Sequence, residues 1–355
     1  MKKYIILTII LCGIILLTGC AYGYNKNTGG KQTPKPENSN VELLATMDSE
    51  SDAKNQVWVG TFQLIWNDLV NEILHQPVTF VDFNSLMAES LNRQSFTTND
   101  ISENAYYKKW GHPSPKLKHE IETGIKKKFN EKSEILDYVD WSENPNNYIL
   151  YAMLKKDFEY IEKFEKLEPD KFNGSSGYVD YFGFTDETSN KIRNSIGVLF
   201  YENPASYAVN LKTKTGDEVL LYRTDNKKTL DKIYAEMLNK EENYTGNKFI
   251  MEKDEFKSPI LDFKKTEKFD ELCNKQITGT DYHLSEAIET IDFKMDESGV
   301  KLKSEAIIAV EKGMAIVHIK PRYFYFNDNF YIFIRENNKK PYFAMRISDA
   351  KLLQK

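Results

Sequence analysis

Five histidines, three cysteines and a scatter of carboxylates are the residues of this chain that could carry catalysis or hold a metal. A zinc centre needs His, Cys or carboxylate ligands at spacings that let them converge. None of His75, His112, His119, His283 and His318 pairs with a Cys or carboxylate at such a spacing, and the motif HExxH is absent. His112 and His119 would share a helix face, but His112 precedes Pro113, outside the helix, and His119 stands among lysines on a solvated side. A nucleophile elbow, a phosphate-binding P-loop and a dinucleotide fingerprint are likewise missing. Asn173-Gly174-Ser175-Ser176-Gly177 lacks the lysine and helix start that would cradle a phosphate, so it reads as a turn. The acidic pairs Glu241-Glu242 and Asp254-Glu255 read as solvated surface. Lys126-Lys127-Lys128 could touch anionic lipid or wall polymer, and a polar helix face explains it without a partner. The expectation is a protein that is not an enzyme, with no catalytic residue, metal or cofactor.

The cysteines are more telling. Lys2 and Lys3 precede an apolar run from Tyr4 to Leu17, the charged start and hydrophobic centre of a secretory signal. The run ends in Leu17-Thr18-Gly19-Cys20, which resembles the bacterial lipobox, where small residues admit a peptidase and the cysteine carries lipid. The run is short for a membrane-spanning helix, which needs roughly 20 residues. The expectation is therefore a signal over 1–19 and a lipid on Cys20, with the chain exported to the outer face of the cytoplasmic membrane, or to an outer membrane in a Gram-negative cell. With the signal gone, Cys12 is lost and Cys20 is consumed, so Cys273 stands alone and no intramolecular disulfide can form. Loss of Lys2 and Lys3, with no acidic residue, takes the formal charge from −5 to −7. Neither that charge nor any large basic block suits nucleic acid.

Residues 20–55 are polar and rich in Gly, Asn, Lys, Pro and Ser, including Gly29-Gly30-Lys31-Gln32-Thr33-Pro34-Lys35-Pro36, and read as a flexible tether. Apolar periodicity begins at Gln56, and residues 56–355 read as a single, monomeric domain. Phe62, Ile65, Trp66, Leu69 and Ile73 recur at helical spacing, with Pro77 as the stop. Ser114-Pro115 reads as a cap and first turn, followed by Leu117, Ile121, Ile125 and Phe129 on one helical face. A third helix is predicted from Thr229 to Lys240. Tyr148 to Leu154, Tyr207 to Leu211, Val219 to Tyr222, Ala306 to Val310 and Tyr331 to Ile334 are strand-like. Asn173-Gly174 and Thr215-Gly216-Asp217 read as hairpin turns. Early helices and late strands argue for an α+β fold, helices packed on large mixed or mostly antiparallel sheets.

Phe293-Lys294-Met295-Asp296-Glu297-Ser298-Gly299, followed by a loop and a long β-rich end, resembles the serpin family, in which a strand ends in an acidic pair and a glycine before a hinge and an exposed reactive loop. Ser298 departs from the usual second acidic residue. Asn327 to Asn337 resembles the family's C-terminal strand and turn, and Pro341 to Ile347 its last strand. Upstream, Phe256 to Phe263, Phe269 to Leu272 and Tyr207 to Leu238 follow the same order more loosely, whereas residues 56–145 carry no such motif. The resemblance implies a protease inhibitor of the serine or cysteine class that acts by inserting its cleaved loop as a new strand. It implies a hinge with Glu297, Gly299, Val300, Leu302, Ser304 and Ala306, and a cut near Lys312, Gly313 and Met314. The usual hinge is small and alanine-rich; here Lys301, Leu302, Lys303 and Glu305 intrude. Val300, Leu302, Ser304 and Ala306 nonetheless share one face by period-two counting, which suits a strand that can insert or is already inserted. Glu311-Lys312-Gly313 also reads as a plain polar turn. The alternatives are a non-inhibitory binding module on the same frame and, behind it, a solute-binding lipoprotein.

Overall fold

Val41, Leu43, Leu44, Ala45 and Thr46 are buried, and Glu42–Leu43 forms a strand, β1, pairing in parallel with β2 (Gln56–Val59). Residues 40–55, assigned above to the tether, thus belong to the folded body; four apolar side chains among polar neighbours are enough to anchor them once a strand edge is on offer. The computed structural model describes residues 40–185, 190–300 and 321–353, all within one compact unit, Lys35–Lys355. Cys20 and the signal lie outside the described residues, as do 301–320.

After β2 come α1 (Thr61–Asp68), α2 (Leu86–Asn92), β3 (Tyr106–Gly111), α3 (Pro115–Phe129), β4 (Ile149–Leu154), β5 (Phe158–Glu159), β6 (Glu165–Lys171) and β7 (Tyr178–Phe184). Next are α4 (Asn190–Arg193), β8 (Ile196–Asn203), β9 (Ser206–Lys212), β10 (Asp217–Arg223) and α5 (Leu230–Asn243). The chain ends in β11 (Glu255–Pro259), β12 (Leu261–Lys268), β13 (Ile288–Asp296), β14 (Gly299–Val300), β15 (Tyr323–Tyr325), β16 (Phe330–Glu336) and β17 (Pro341–Ile347).

Local chemistry explains the helix ends. Ser114 Oγ accepts the Leu117 N–H at 3.1 Å, Pro115 opens α3, and Asn130 closes it in the left-handed region at φ 55°. The first helix is shorter than its apolar stripe predicts, because the chain widens into a π turn over Leu69–Leu74 and stops at His75, φ 52°, before Pro77 is reached. Asn173 and Gly174 take φ 46° and 65°, the turn that their types predict.

Seven strands form the largest sheet, in the order β1-β2-β17-β16-β10-β9-β8, antiparallel except at β1. Strands β16 and β17 are buried at every position, which is why Tyr331 to Ile334 reads as a continuous apolar run. Helix α5 covers one face, with Tyr234 at 5.0 Å from the Phe333 ring. A four-stranded sheet, β15-β11-β7-β6, packs Phe182, Phe184 and Phe256 into the same core, where Phe326 links Phe256 to Phe330. Each buried ring contributes about 1.5–3 kcal/mol, so this aromatic layer is a large part of the core. Two smaller assemblies remain: β12-β13-β14-β5 and the pair β3-β4. Helix α3 packs its Leu117, Ile121 and Ile125 against Tyr107, Tyr151 and Met153 of β3 and β4, and α1 packs against β4 as well. No helix among the described residues is long and apolar enough to cross a membrane.

Candidate functional site

The turn from β13 into β14 is held by its own side chains. Asp296 accepts the Ser298 N–H at 2.9 Å and the Lys294 ammonium at 2.8 Å. Burial opposes its charge, but Lys294 and the Ser298 and Gly299 N–H groups outweigh that and keep the carboxyl below its ordinary range. Glu297 is buried, with Lys163 at 3.4 Å and Lys166 at 3.6 Å; both lysines are largely exposed, so neither pair adds much. The backbone does more: Glu297 O accepts from Phe164 N at 2.9 Å and Ser298 O from Tyr160 N at 3.1 Å.

Gly299 and Val300 then lie between two strands. They pair antiparallel with Asp296 and Met295 of β13 on one side and with Glu159 and Phe158 of β5 on the other. Gly299 adopts φ 147°, and a Cβ there would stand 2.3 Å from the Phe158 carbonyl oxygen and 2.7 Å from the Glu159 Cα, so only glycine fits. Because β14 is antiparallel to both neighbours, β13 and β5 run parallel to each other one strand apart. Strand β4 leads into β5 through Lys155-Lys156-Asp157. Among the described residues β4 pairs only with β3, and β13 only with β12 and, at its end, β14. Among the described residues, then, no ladder joins β4 to β13 beyond β14.

Where the chain resumes, Arg322 is anchored. Its backbone N–H donates to Asp254 Oδ1 at 2.9 Å, its Nε and Nη2 to Oδ2 at 3.1 and 2.7 Å, and its Nη1 and Nη2 to the carbonyls of Asn247 and Phe249 at 2.9 and 2.5 Å. Asp254, read from sequence as solvated, is completely buried. The correction has a simple cause: Arg322, far away in sequence, satisfies both its oxygens. Arg322 leads into β15, which pairs in parallel with β11.

Of the residues assigned to the hinge, Glu297, Gly299 and Val300 are thus brought together at the turn from β13 into β14; Leu302, Ser304, Ala306, Lys312, Gly313 and Met314 lie outside the described residues. Sequence reasoning passed over Arg322 and Glu289. The first carries no local signal. The second had one: Glu289 falls in phase with Ile291, Phe293 and Met295 on the inward face of β13. His112 and His119 are exposed, and no described group of His, Cys, Asp or Glu is arranged to hold a metal.

No protein-family model matches the chain, and no curated protein does. Solved structures do. The chain is similar to Serpin48, a highly specific serpin of the insect Tenebrio molitor, with a TM-score of 0.50 at 12% identity over 83% of this chain and 92% of that one. A complex of thyroxine-binding globulin with thyroxine aligns at 0.45 and 11% identity, covering 83% of this chain and 93% of that one. Human glycosylated kallistatin aligns at 0.43 and 11%, covering 81% and 95%. At such low identity the likeness to Serpin48 speaks for architecture alone, and it agrees with the split sheets described above: the chain has a serpin-like α+β fold.

Proposed function

We propose that the chain is a bacterial lipoprotein, held at the cell surface through Cys20, that inhibits a serine or cysteine protease by feeding a strand into its own sheet. The observation that supports this reading is β14 lying between β13 and β5 and antiparallel to both, as an inserting strand must run. The bait bond is near Lys312-Gly313, where a basic residue suits a trypsin-like enzyme. The protease nucleophile attacks the Lys312 carbonyl, the Gly313 amine leaves, and the acyl-enzyme forms. Strand insertion from Val300 onward then drags the protease away before water can free it, the stored-strain logic of such traps. Incubating the signal-free chain with trypsin should give a one-to-one adduct that survives SDS and is abolished by Lys312→Ala. Cleavage with no adduct for either protein would overturn the reading.

A second reading rests on the same two residues. Gly299 and Val300 are already paired on both sides, which also suits a strand that has settled, and the frame would then serve as a non-inhibitory binding module. Resistance of residues 300–316 to limited proteolysis favours that alternative.

A further inference from the structure

Between β12 and β13 the chain folds into a hairpin, at the end of β13 opposite to Val300. The Asn274 N–H donates to the Leu284 carbonyl and the Ile277 N–H to that of Tyr282, both at 2.8 Å. Gln276 stands across from His283, and Gly279 turns the chain at φ 76°. The segment before α2 fixes the hairpin in place: Thr278 N–H donates to Thr79 O at 2.8 Å, Val81 N–H to Gln276 O at 3.0 Å, and Gln76 Nε2 to Thr278 O at 2.7 Å. Cys273 and Ile277 turn inward to the cluster of Phe80 and Phe269. Asn274 and Gln276 are left exposed, as are Asp281 and His283.

Those four residues and Tyr282 line an open groove of about 520 Å³, within the size range of small-molecule sites. Its polar groups are unspent. The Asn274 amide, the Asp281 carboxylate and the His283 ring make no hydrogen bond or ion pair with a described residue, and Gln276 uses Nε2 on Thr280 O at 3.0 Å while its Oε1 stays open. Tyr282 joins the groove to a row of rings at the ends of β3 and β4. Its ring is 5.7 Å from that of Tyr148, which lies 4.5 Å from His112 and 6.1 Å from Trp110. Trp110 is 38% exposed, and its indole N–H donates to no described residue. Lys275 is turned away, its ammonium 4.5 Å from the Phe83 ring centre and bonded to the Glu271 carbonyl at 2.7 Å.

This lining selects its ligand. It holds one carboxylate and no lysine or arginine, so a phosphate or sulfate would find no charged partner. The hairpin edge at Gln276 and Thr278 is already bonded to Val81 and Thr79, so a peptide strand has no ladder to join there. A sugar fits both halves of the surface: its hydroxyls donate to the carboxylate and exchange bonds with the amides, and its C–H face packs on a phenol or indole whose polar tip stays wet. We propose that the groove binds an uncharged oligosaccharide, with Tyr282 and Trp110 as contact rings and Asn274, Gln276 and Asp281 as partners for its hydroxyls. The row of rings reaches beyond the groove, which favours a chain of sugars over a single one. The inference is independent of strand insertion, since the groove lies at the other end of β13.

Calorimetric titration of the signal-free chain with cellohexaose, chitohexaose and maltohexaose tests it. At least one should bind with a Kd of about 1 mM or below. Trp110→Ala and Asn274→Ala should each weaken that binding by about tenfold, whereas Phe249→Ala, which removes an exposed ring elsewhere, should leave it unchanged. All three side chains are at the surface, so unchanged melting temperatures separate lost binding from a lost fold. Failure of all three sugars to bind, or an affinity that neither groove variant alters, overturns the assignment. Equal weakening by Phe249→Ala also overturns it, because any exposed ring would then serve.

Discussion

Lys156, between β4 and β5, lies among two buried carboxylates. Its ammonium is 2.8 Å from Asp217 and bonds Glu336, which also accepts the Ser102 N–H at 3.1 Å and hydroxyl at 2.7 Å, while the Tyr342 hydroxyl donates to Asp217 at 3.0 Å. Burial resists the Glu336 charge, yet Lys156 and Ser102 bring its pKa down to about 2. A depressed carboxyl stabilises the fold above its unfolded value of about 4.3, and that support is lost as pH falls through about 2. Glu289 has the opposite sign: its contribution is whole below about 4.3 and is lost as pH rises through about 8. Thermal melts across pH should therefore fall away on both sides, with Glu289→Gln flattening only the alkaline limb. Lys156→Met should cost about 3 kcal/mol in denaturant titration, since it strands two buried carboxylates. At the turn, Gly299→Ala should cost about 3 kcal/mol, combining a strained φ with contact against Phe158; no loss in a urea titration would refute the close approach. Glu297 and Gly299 drew attention only through the family resemblance of Asp296 to Gly299. Lys156 and Arg322 were not legible, because their partners arrive from distant elements.

Among the elements, those with a local cause were read well. Helix α3 spans Pro115–Phe129 as its cap and stripe predict, and β10, β16 and β17 follow their apolar runs. The two-residue strands β1, β5 and β14 escaped because pairing, not propensity, makes them. For the same reason the tether was drawn too long, since Val41 to Thr46 become ordered only against β2. The anchor of β15 carries the clearest prediction at this scale. Asp254→Ala leaves the Arg322 guanidinium buried without its carboxylate, a cost of about 3–5 kcal/mol. It should loosen β15 from β11, which faster amide exchange of both strands would track. Unchanged exchange protection in Asp254→Ala would show that the anchor does not hold β15.

The aromatic layer between the seven-stranded sheet and β15-β11-β7-β6 is packed through, whereas β4 and β13 share no ladder among the described residues. A strand that adds to a sheet brings its backbone donors and acceptors into ladders, which is how a fold can gain stability after a loop is cut. The order of strands around β14 was suggested by sequence only through resemblance; which strands pair is a property of the tertiary fold, which no single-strand pattern records. The most direct measurement is the melting temperature of the signal-free chain before and after one proteolytic nick within residues 300–316. A rise of 15 °C or more, on the order of several kcal/mol for a chain of this size, is the result expected of a strand entering the sheet beside β13; an unchanged or lower value in the nicked protein would contradict strand insertion.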